Sequence, residues 1–350
     1  MNIDEKIEKA EKVIEGKDIA IAFSGGADST MVAYLAKKVA KNLLAITFDN
    51  EIMPTNFIAN AQKIAENIDI PHEIISKDIL ELETFTKNNE NRCFVCRNVM
   101  YSNIKKIAND NGFEIIVDGT NITDLLEDRP GIIVNYENNI LSPLVQGGIE
   151  KEEVLEYLNN HNIEYSEATT CLATRIKNTD EITSKKINRV RYAENLIKNI
   201  TKSENVRVRD ISNTAQIEVN NIDALLNKNT LNLIENELKA VNFEKVTLDI
   251  GHNTSEKKEL VIYKPCKDEA NKIMFENELA YTVDIKKTCT ELEKIGKVKC
   301  SESMGVAMLN IDDRNVTIFK NGKIVARKVK NKEDAQDILI KVLPSIRRDI

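Results

Sequence analysis

A short apolar run that breaks into a double glycine and then into a helix constrains this chain more than any other feature. Asp18-Ile19-Ala20-Ile21-Ala22-Phe23 has the length of a buried strand. It stops at Ser24-Gly25-Gly26-Ala27-Asp28-Ser29, and helical spacing takes over across Asp28–Val39. A strand that feeds directly into a helix through a glycine turn belongs to a βαβ unit. The expectation is therefore an α/β fold with a parallel sheet. Leu43–Phe48, His72–Ile75 and Ile115–Val117 supply further strands. Residues 4–16, Asn56–Ile68 and Tyr101–Asn109 supply helices between them.

The alternation changes after about residue 165. Thr183–Lys198 and Ile222–Ala240 read as helices, and Val206–Val208, Gln216–Val219 and Val246–Ile250 as short strands. Pro265 and Cys266 mark a further boundary. Beyond it, Asn321-Gly322 sits between two alternating runs across Val316–Val329, which predicts a hairpin, and Lys332–Leu343 predicts a closing helix. The expected domains are 1–165 for nucleotide binding, 166–260 as a smaller α+β domain, and 261–350 as an α+β appendage. A length of 350 residues accommodates two or three domains.

The chain has no run of eighteen apolar residues and no apolar leader core, so the expectation is a cytoplasmic protein without membrane contact. A net charge of −7 argues against a nucleic-acid partner, since phosphate backbones need clustered Lys and Arg.

The loop carries chemistry. Gly25 and Gly26 let the backbone turn sharply and approach a ligand. The N–H groups at the helix start, with the Ser24 and Ser29 hydroxyls, offer an anion site. Asp28 can hold Mg²⁺ against phosphates. The lysine-serine ending of a Walker loop is missing. The alternative is an ordinary glycine turn capped by serine. Six positions in a strand-loop-helix context instead resemble the signature of PP-loop ATP pyrophosphatases. That resemblance implies cleavage of ATP between its α and β phosphates, with adenine read by the backbone at Thr47 and Phe48.

Six cysteines stand at 93, 96, 171, 266, 289 and 300. Disulfides are a poor expectation for a cytoplasmic chain. Cys93 and Cys96 have chelating spacing, and Cys171 follows 75 residues later. Three thiolates suit a cubane cluster with one open iron. Inert burial remains the alternative. Cys266, Cys289 and Cys300 lack close spacing and read as structural.

Several separated motifs then resemble the LarE sulfur transferases over roughly residues 17–255. They are SGGADS, the RCFVCR segment, DGTN at 118–121, DRPG at 128–131, SPL at 142–144, CLATRI at 171–176, and VRVRD with QIEV at 206–219. The resemblance implies an adenine-nucleotide-hydrolase-like first domain and a second domain that helps form homo-oligomers. It implies adenylation of a pyridinium bis-carboxylate mononucleotide by ATP and Mg²⁺, then sulfur displacing AMP to leave a thiocarboxylate for a nickel-pincer cofactor. One branch sacrifices a cysteine equivalent to Cys171. Another carries three cysteines and a 4Fe-4S cluster, for which Cys93, Cys96 and Cys171 would be the ligands. Gly119 and Thr120 would complete the nucleotide site.

An anionic mononucleotide also needs guanidinium groups. Arg129, Arg175, Arg207 and Arg209 fall on the motifs, and Arg207 and Arg209 share one strand face. Glu194 and Glu218 are weaker candidates for a metal or base role. Residues 261–350 lie beyond the family's usual chain. Competing readings are a tRNA thiolation enzyme, an ammonia-using amidotransferase-like ligase and a non-catalytic nucleotide sensor.

Overall fold

The computed structural model describes residues 2–126, 133–203, 205–251, 261–263, 273–279 and 281–349. The chain opens with α1 (Ile3–Ile14), fixed by a capping box between Asn2 and Glu5. β1 (Asp18–Ala22), α2 (Ala27–Val39), β2 (Asn42–Asp49), α3 (Phe57–Asn67) and β3 (His72–Ser76) follow as expected. Then come α4 (Glu83–Thr86), α5 (Arg92–Asp110), β4 (Ile115–Val117), α6 (Ile122–Leu126), α7 (Ile133–Glu137), α8 (Pro143–Gly147) and α9 (Lys151–Asn160).

The four strands form one parallel sheet in the order β3-β2-β1-β4. Ile19, Ala20 and Ile21 of the central strand are fully buried, which is why the run is uniformly apolar. β1 connects to β2 on one side, and β4 lies on its other side. That reversal of strand order opens a crevice at the carboxyl ends of β1 and β4, where open α/β sheets bind ligands.

One helix departs from expectation. The pattern placed a helix over Tyr101–Asn109, yet α5 starts at Arg92. Its fully buried positions are Tyr101, Ile104 and Ala108, so only its second half carries the apolar spacing that reveals a helix. The first turns hold Cys93 and Cys96 instead.

The second sheet is small. α10 (Ser184–Thr201) precedes the hairpin β5 (Val206–Ile211) and β6 (Thr214–Val219). α11 (Lys228–Ala240) leads to β7 (Lys245–Leu248), parallel to β6. α11 begins later than expected because Asn227 caps it through Thr230 N, after a separate turn at Asp223–Leu225. Its core takes in Ile52, Ile79 and Phe85 from the first part of the chain, together with Leu172 and Ala173.

The third sheet comprises β8 (Val261–Tyr263), β9 (Ile273–Glu278), β10 (Lys297–Ser301), β11 (Val306–Ile311), β12 (Arg314–Phe319) and β13 (Lys323–Val329). Its order is β10-β11-β12-β13-β9-β8, all antiparallel, with α12 (Ile285–Leu292) and α13 (Lys332–Val342). The Asn321-Gly322 turn joins β12 to β13, with Gly322 at φ +89. The core of this sheet reaches into the first part of the chain, enclosing Ile122 and Leu125 of α6 and Val145 of α8.

This sheet also corrects the cysteine reading. Cys289 and Cys300 form a disulfide, although disulfides had been set aside for the whole chain. α12 lies against β10 and brings the two Cα atoms to 6.4 Å, within bridging range. Cys266 lies outside the described residues.

Candidate active site

The loop after β1 is held from several sides. Gly25 adopts φ +70, and a Cβ there would sit 2.9 Å from Ala61 Cα of α3. Only glycine fits a left-handed conformation against another backbone. The Ser24 and Ser29 hydroxyls lie 3.1 Å apart, and Ser29 Oγ donates to the Gly26 carbonyl at 3.1 Å. Gly26 is the N-cap of α2 and no side chain caps this helix. Its first N–H groups are therefore available to an anion.

A second loop packs on the first. After β4, Asp118-Gly119-Thr120-Asn121 runs across the start of α2. A Cβ at Gly119 would lie 2.6 Å from Ser29 N and 2.7 Å from the Asp28 carbonyl carbon. Asn121 Nδ2 donates to Asp28 Oδ1 at 2.9 Å. The structure thus brings Gly119 against Asp28 and Ser29 at the end of the Ser24–Ser29 loop. Thr120 is buried, and its hydroxyl donates to Asp118 Oδ2 at 2.7 Å, so it shapes the loop from below. Thr47 is also buried; its hydroxyl donates to the Phe23 carbonyl at 2.8 Å and meets His72 Nε2 at 2.7 Å. Burial holds the His72 pKa below its usual value despite the nearby Glu66 charge. Phe48 is buried at the carboxyl end of β2.

Cys93, Cys96 and Cys171 lie near enough for their charges to act on one another. Cys93 is exposed, and Cys96 and Cys171 are partly buried, all as free thiols. Burial first, then the charges of Cys171 and Cys93, push the Cys96 thiol up to about 11. Burial and Cys93 push Cys171 upward as well. Asn50, just past β2, donates to Cys96 Sγ at 3.7 Å, and Leu172 N donates to the Ile52 carbonyl at 2.8 Å. These contacts set the thiols beside the carboxyl end of the parallel sheet. Among the described residues, no group of three or more His, Cys, Asp or Glu is gathered closely enough to hold one ion.

The arginines divide. Arg175 is buried and donates to Glu194 Oε1 at 2.7 Å and to Thr170 and Thr174 at 2.7 Å. Arg209 pairs with Glu218 on the neighbouring strand. Glu194 and Glu218 thus serve as partners of arginines. Arg207 is exposed on the same face of β5 as Arg209, as the period of two requires. A cavity of about 1540 Å³ is lined by Arg175, Glu194, Arg207 and Glu218, with Pro54 and Asn60 opposite. The linker reaching this cavity is anchored to the nucleotide loop, Ser166 N donating to the Gly25 carbonyl at 2.7 Å. Arg129, with the DRPG motif, lies outside the described residues.

Sequence reasoning missed Arg97, Tyr101, Asn135 and Ser142. All four donate to the buried carboxylate of Asp118, with Arg97 Nη2 at 2.8 Å and the other three at 2.7 Å. Burial alone would raise the Asp118 pKa, but Arg97 and the hydroxyl donors outweigh it and hold it below the usual value. Arg97 and Ser142 stood inside quoted motifs, so a signal existed. Nothing in the sequence said that they converge on Asp118.

Comparison with known proteins adds to this geometry. A PP-loop domain matches residues 1–129. An uncharacterized protein of Methanocaldococcus jannaschii is 30% identical over 240 residues, covering 67% of this chain and 90% of the relative. An uncharacterized protein of Synechocystis is 31% identical over 268 residues, covering 75% of this chain and 100% of the relative. The pyridinium-3,5-bisthiocarboxylic acid mononucleotide synthase of Lactiplantibacillus plantarum is 26% identical over 240 residues, covering 67% of this chain and 86% of the synthase.

Proposed function

The chain belongs to the PP-loop ATP pyrophosphatase family, and from that premise we propose that it is an ATP-dependent sulfur transferase of the LarE type. A carboxylate oxygen of a pyridinium bis-carboxylate mononucleotide attacks the α-phosphorus of ATP, and pyrophosphate leaves. Sulfur then attacks the acyl carbon of the adenylate, AMP leaves, and a thiocarboxylate remains.

The residues divide the work. Ser24, Gly25, Gly26 and Ser29 present N–H and hydroxyl donors to the phosphates. Asp28, oriented by Asn121, would hold Mg²⁺, which would supply positive charge to the phosphates. The backbone at Thr47 and Phe48 reads adenine, and Gly119 keeps its loop close to α2. Arg207 binds the anionic mononucleotide in the cavity, with Arg175 and Arg209 behind it. Arg129 joins this set on the resemblance alone. The division into 1–165, 166–260 and 261–350, the cytoplasmic location and homo-oligomerisation are part of the same proposal.

The observation that carries the reading is that three free thiols, from segments 75 residues apart in sequence, lie near enough for their charges to act on one another, although they are not gathered at ligating distance. Their chemistry suits a 4Fe-4S cluster. Soft thiols favour iron-sulfur or zinc over harder metals, and a cationic centre would offset the burial, and then the mutual repulsion, that raise Cys96 and Cys171. Cys93, Cys96 and Cys171 would be the ligands, and an open iron would supply a replenishable sulfur. The remaining chemistry falls to the protein. Asn50 orients Cys96, and the 3-10 turn Leu172–Arg175 holds Cys171 over the second core.

Anaerobically purified protein should contain about four iron and four acid-labile sulfide per chain. Each single Cys→Ala variant should lose both the iron and sulfur transfer, with AMP formation retained. Stoichiometric conversion of Cys171 to dehydroalanine, with full activity in Cys93→Ala, would replace the cluster with a sacrificial cysteine.

A further inference from the structure

The helix that carries the thiols and the loop that carries the nucleotide meet at one buried carboxylate. Asp118 Oδ2 accepts from Arg97, Tyr101, Asn135 and Thr120, and its Oδ1 accepts from Ser142 Oγ at 2.7 Å and Thr120 N at 3.1 Å. Six donors saturate a group with about four lone-pair sites, so its orientation has little freedom. Arg97 is covalently next to Cys96. Its Nε also donates to Asn135 Oδ1 at 3.0 Å, and Nη2 reaches Tyr101 OH at 3.2 Å. On the other side of Asp118, Gly119 presses on Ser29 N and Asn121 holds Asp28. The path from Cys96 to the phosphate loop therefore runs through the Arg97 side chain, held by its bonds to Asp118, Asn135 and Tyr101, and one carboxylate.

An ion pair with one buried and one partly buried member is a poor way to gain stability, because apolar residues of the same volume pack a helix as well or better. What the pair supplies is a fixed geometry between α5 and the 118–121 loop. We infer that Arg97 is a positioning residue that couples nucleotide occupancy at the Ser24–Ser29 loop to the placement of the Cys96 thiol. When phosphates and Mg²⁺ engage Ser29 and Asp28, the 118–121 loop answers through Gly119 and Asn121, and Asp118 passes the shift to Arg97 and the first turns of α5. The coupling is reciprocal, so modification at Cys96 changes nucleotide affinity by the same factor. This inference rests on the proposed joint use of loop and thiols, and it adds the order of events: the thiols are set for transfer only after ATP is bound.

The test uses full-length protein freed of iron by a chelator, so that the Cys96 thiol is available, and reads no turnover. Iodoacetamide labelling of Cys96 is followed by peptide mass spectrometry, with and without α,β-methylene ATP and Mg²⁺. Wild-type labelling should change by about fivefold or more on nucleotide addition, the lower end of ordinary allosteric couplings. Arg97→Gln should bring that ratio to about one while still binding nucleotide. Asn103→Ala, on the same helix but bonded only to the Val99 carbonyl among the described contacts, should keep the wild-type ratio. Tyr101→Phe removes one bond from Asp118 and one from Arg97 and leaves the ring in the core, so it should give a reduced ratio even if Arg97→Gln fails to fold. Steric shielding of Cys96 by the nucleotide predicts the opposite: full protection in both Arg97→Gln and Tyr101→Phe. That outcome, or wild-type labelling indifferent to nucleotide, overturns the inference. A labelling response without any sulfur product would separate this coupling from the proposed reaction.

Discussion

Gly119→Ala is the sharpest perturbation of the nucleotide site. The new methyl would lie 2.6 Å from Ser29 N and 2.7 Å from the Asp28 carbonyl carbon. Ordinary contact begins at 3.4 Å, so the two backbones must separate by about 0.8 Å. Neither can yield by rotating a side chain, because both partners are main chain. Overpacking of this kind costs about 1–3 kcal/mol of stability. The displacement falls on the first turn of α2, whose N–H groups are to meet the phosphates. A misplacement of about 1 Å at a reacting centre costs on the order of a hundredfold in rate. The expected result is a lower melting temperature, ATP affinity weakened by about tenfold or more, and AMP formation reduced by about a hundredfold. Isothermal titration with ATP and Mg²⁺ and a pyrophosphate-release assay read these quantities. Unchanged affinity and turnover would show that the 118–121 loop is not part of the nucleotide site.

Three further outcomes follow from particular residues. Arg207→Ala should raise the KM for the mononucleotide by about tenfold to a hundredfold, the value of one charge-assisted contact, with ATP binding unchanged by titration. In metal-free protein the Cys96 thiol ionises near 11 rather than 9.0, so stability should fall by roughly 2–3 kcal/mol as pH rises across that window, and Cys96→Ser should remove the loss in chemical denaturation. Reducing the disulfide between Cys289 and Cys300, eleven residues apart in sequence, should destabilise the third sheet by about 3 kcal/mol, read as a lower melting temperature with dithiothreitol than without.

The parallel sheet was legible because its strands are short apolar runs and its helices carry regular apolar spacing. Ile19–Ile21 and Ile115–Val117 announce themselves by composition alone. The start of α5 did not, since Phe94, Val95, Val99 and Met100 divide between two cores and make no single regular stripe. In the phosphate loop, residue type and position are read from one continuous segment, so Gly25 and Asp28 stand out in the sequence as candidates. The Arg97–Asp118 network is different. Its members come from α5, the end of β4, α7 and the segment before α8, and only the fold brings them together. The pairing of Arg209 with Glu218 did not follow from the hairpin alone, because the turn at Ser212-Asn213 places Glu218 opposite Arg207 and the ion pair runs diagonally to Arg209. The bond between Cys289 and Cys300 depends on the packing of α12 over β10, which spacing does not encode.

The central claim is that ATP is spent as AMP and pyrophosphate to place sulfur on a carboxylate. Protein purified under anaerobic conditions, with ATP, Mg²⁺, sulfide and a pyridinium bis-carboxylate mononucleotide, should form AMP and thiocarboxylate in equal amounts by liquid chromatography and mass spectrometry. Formation of ADP and phosphate, or of AMP without any sulfur in the product, would contradict it.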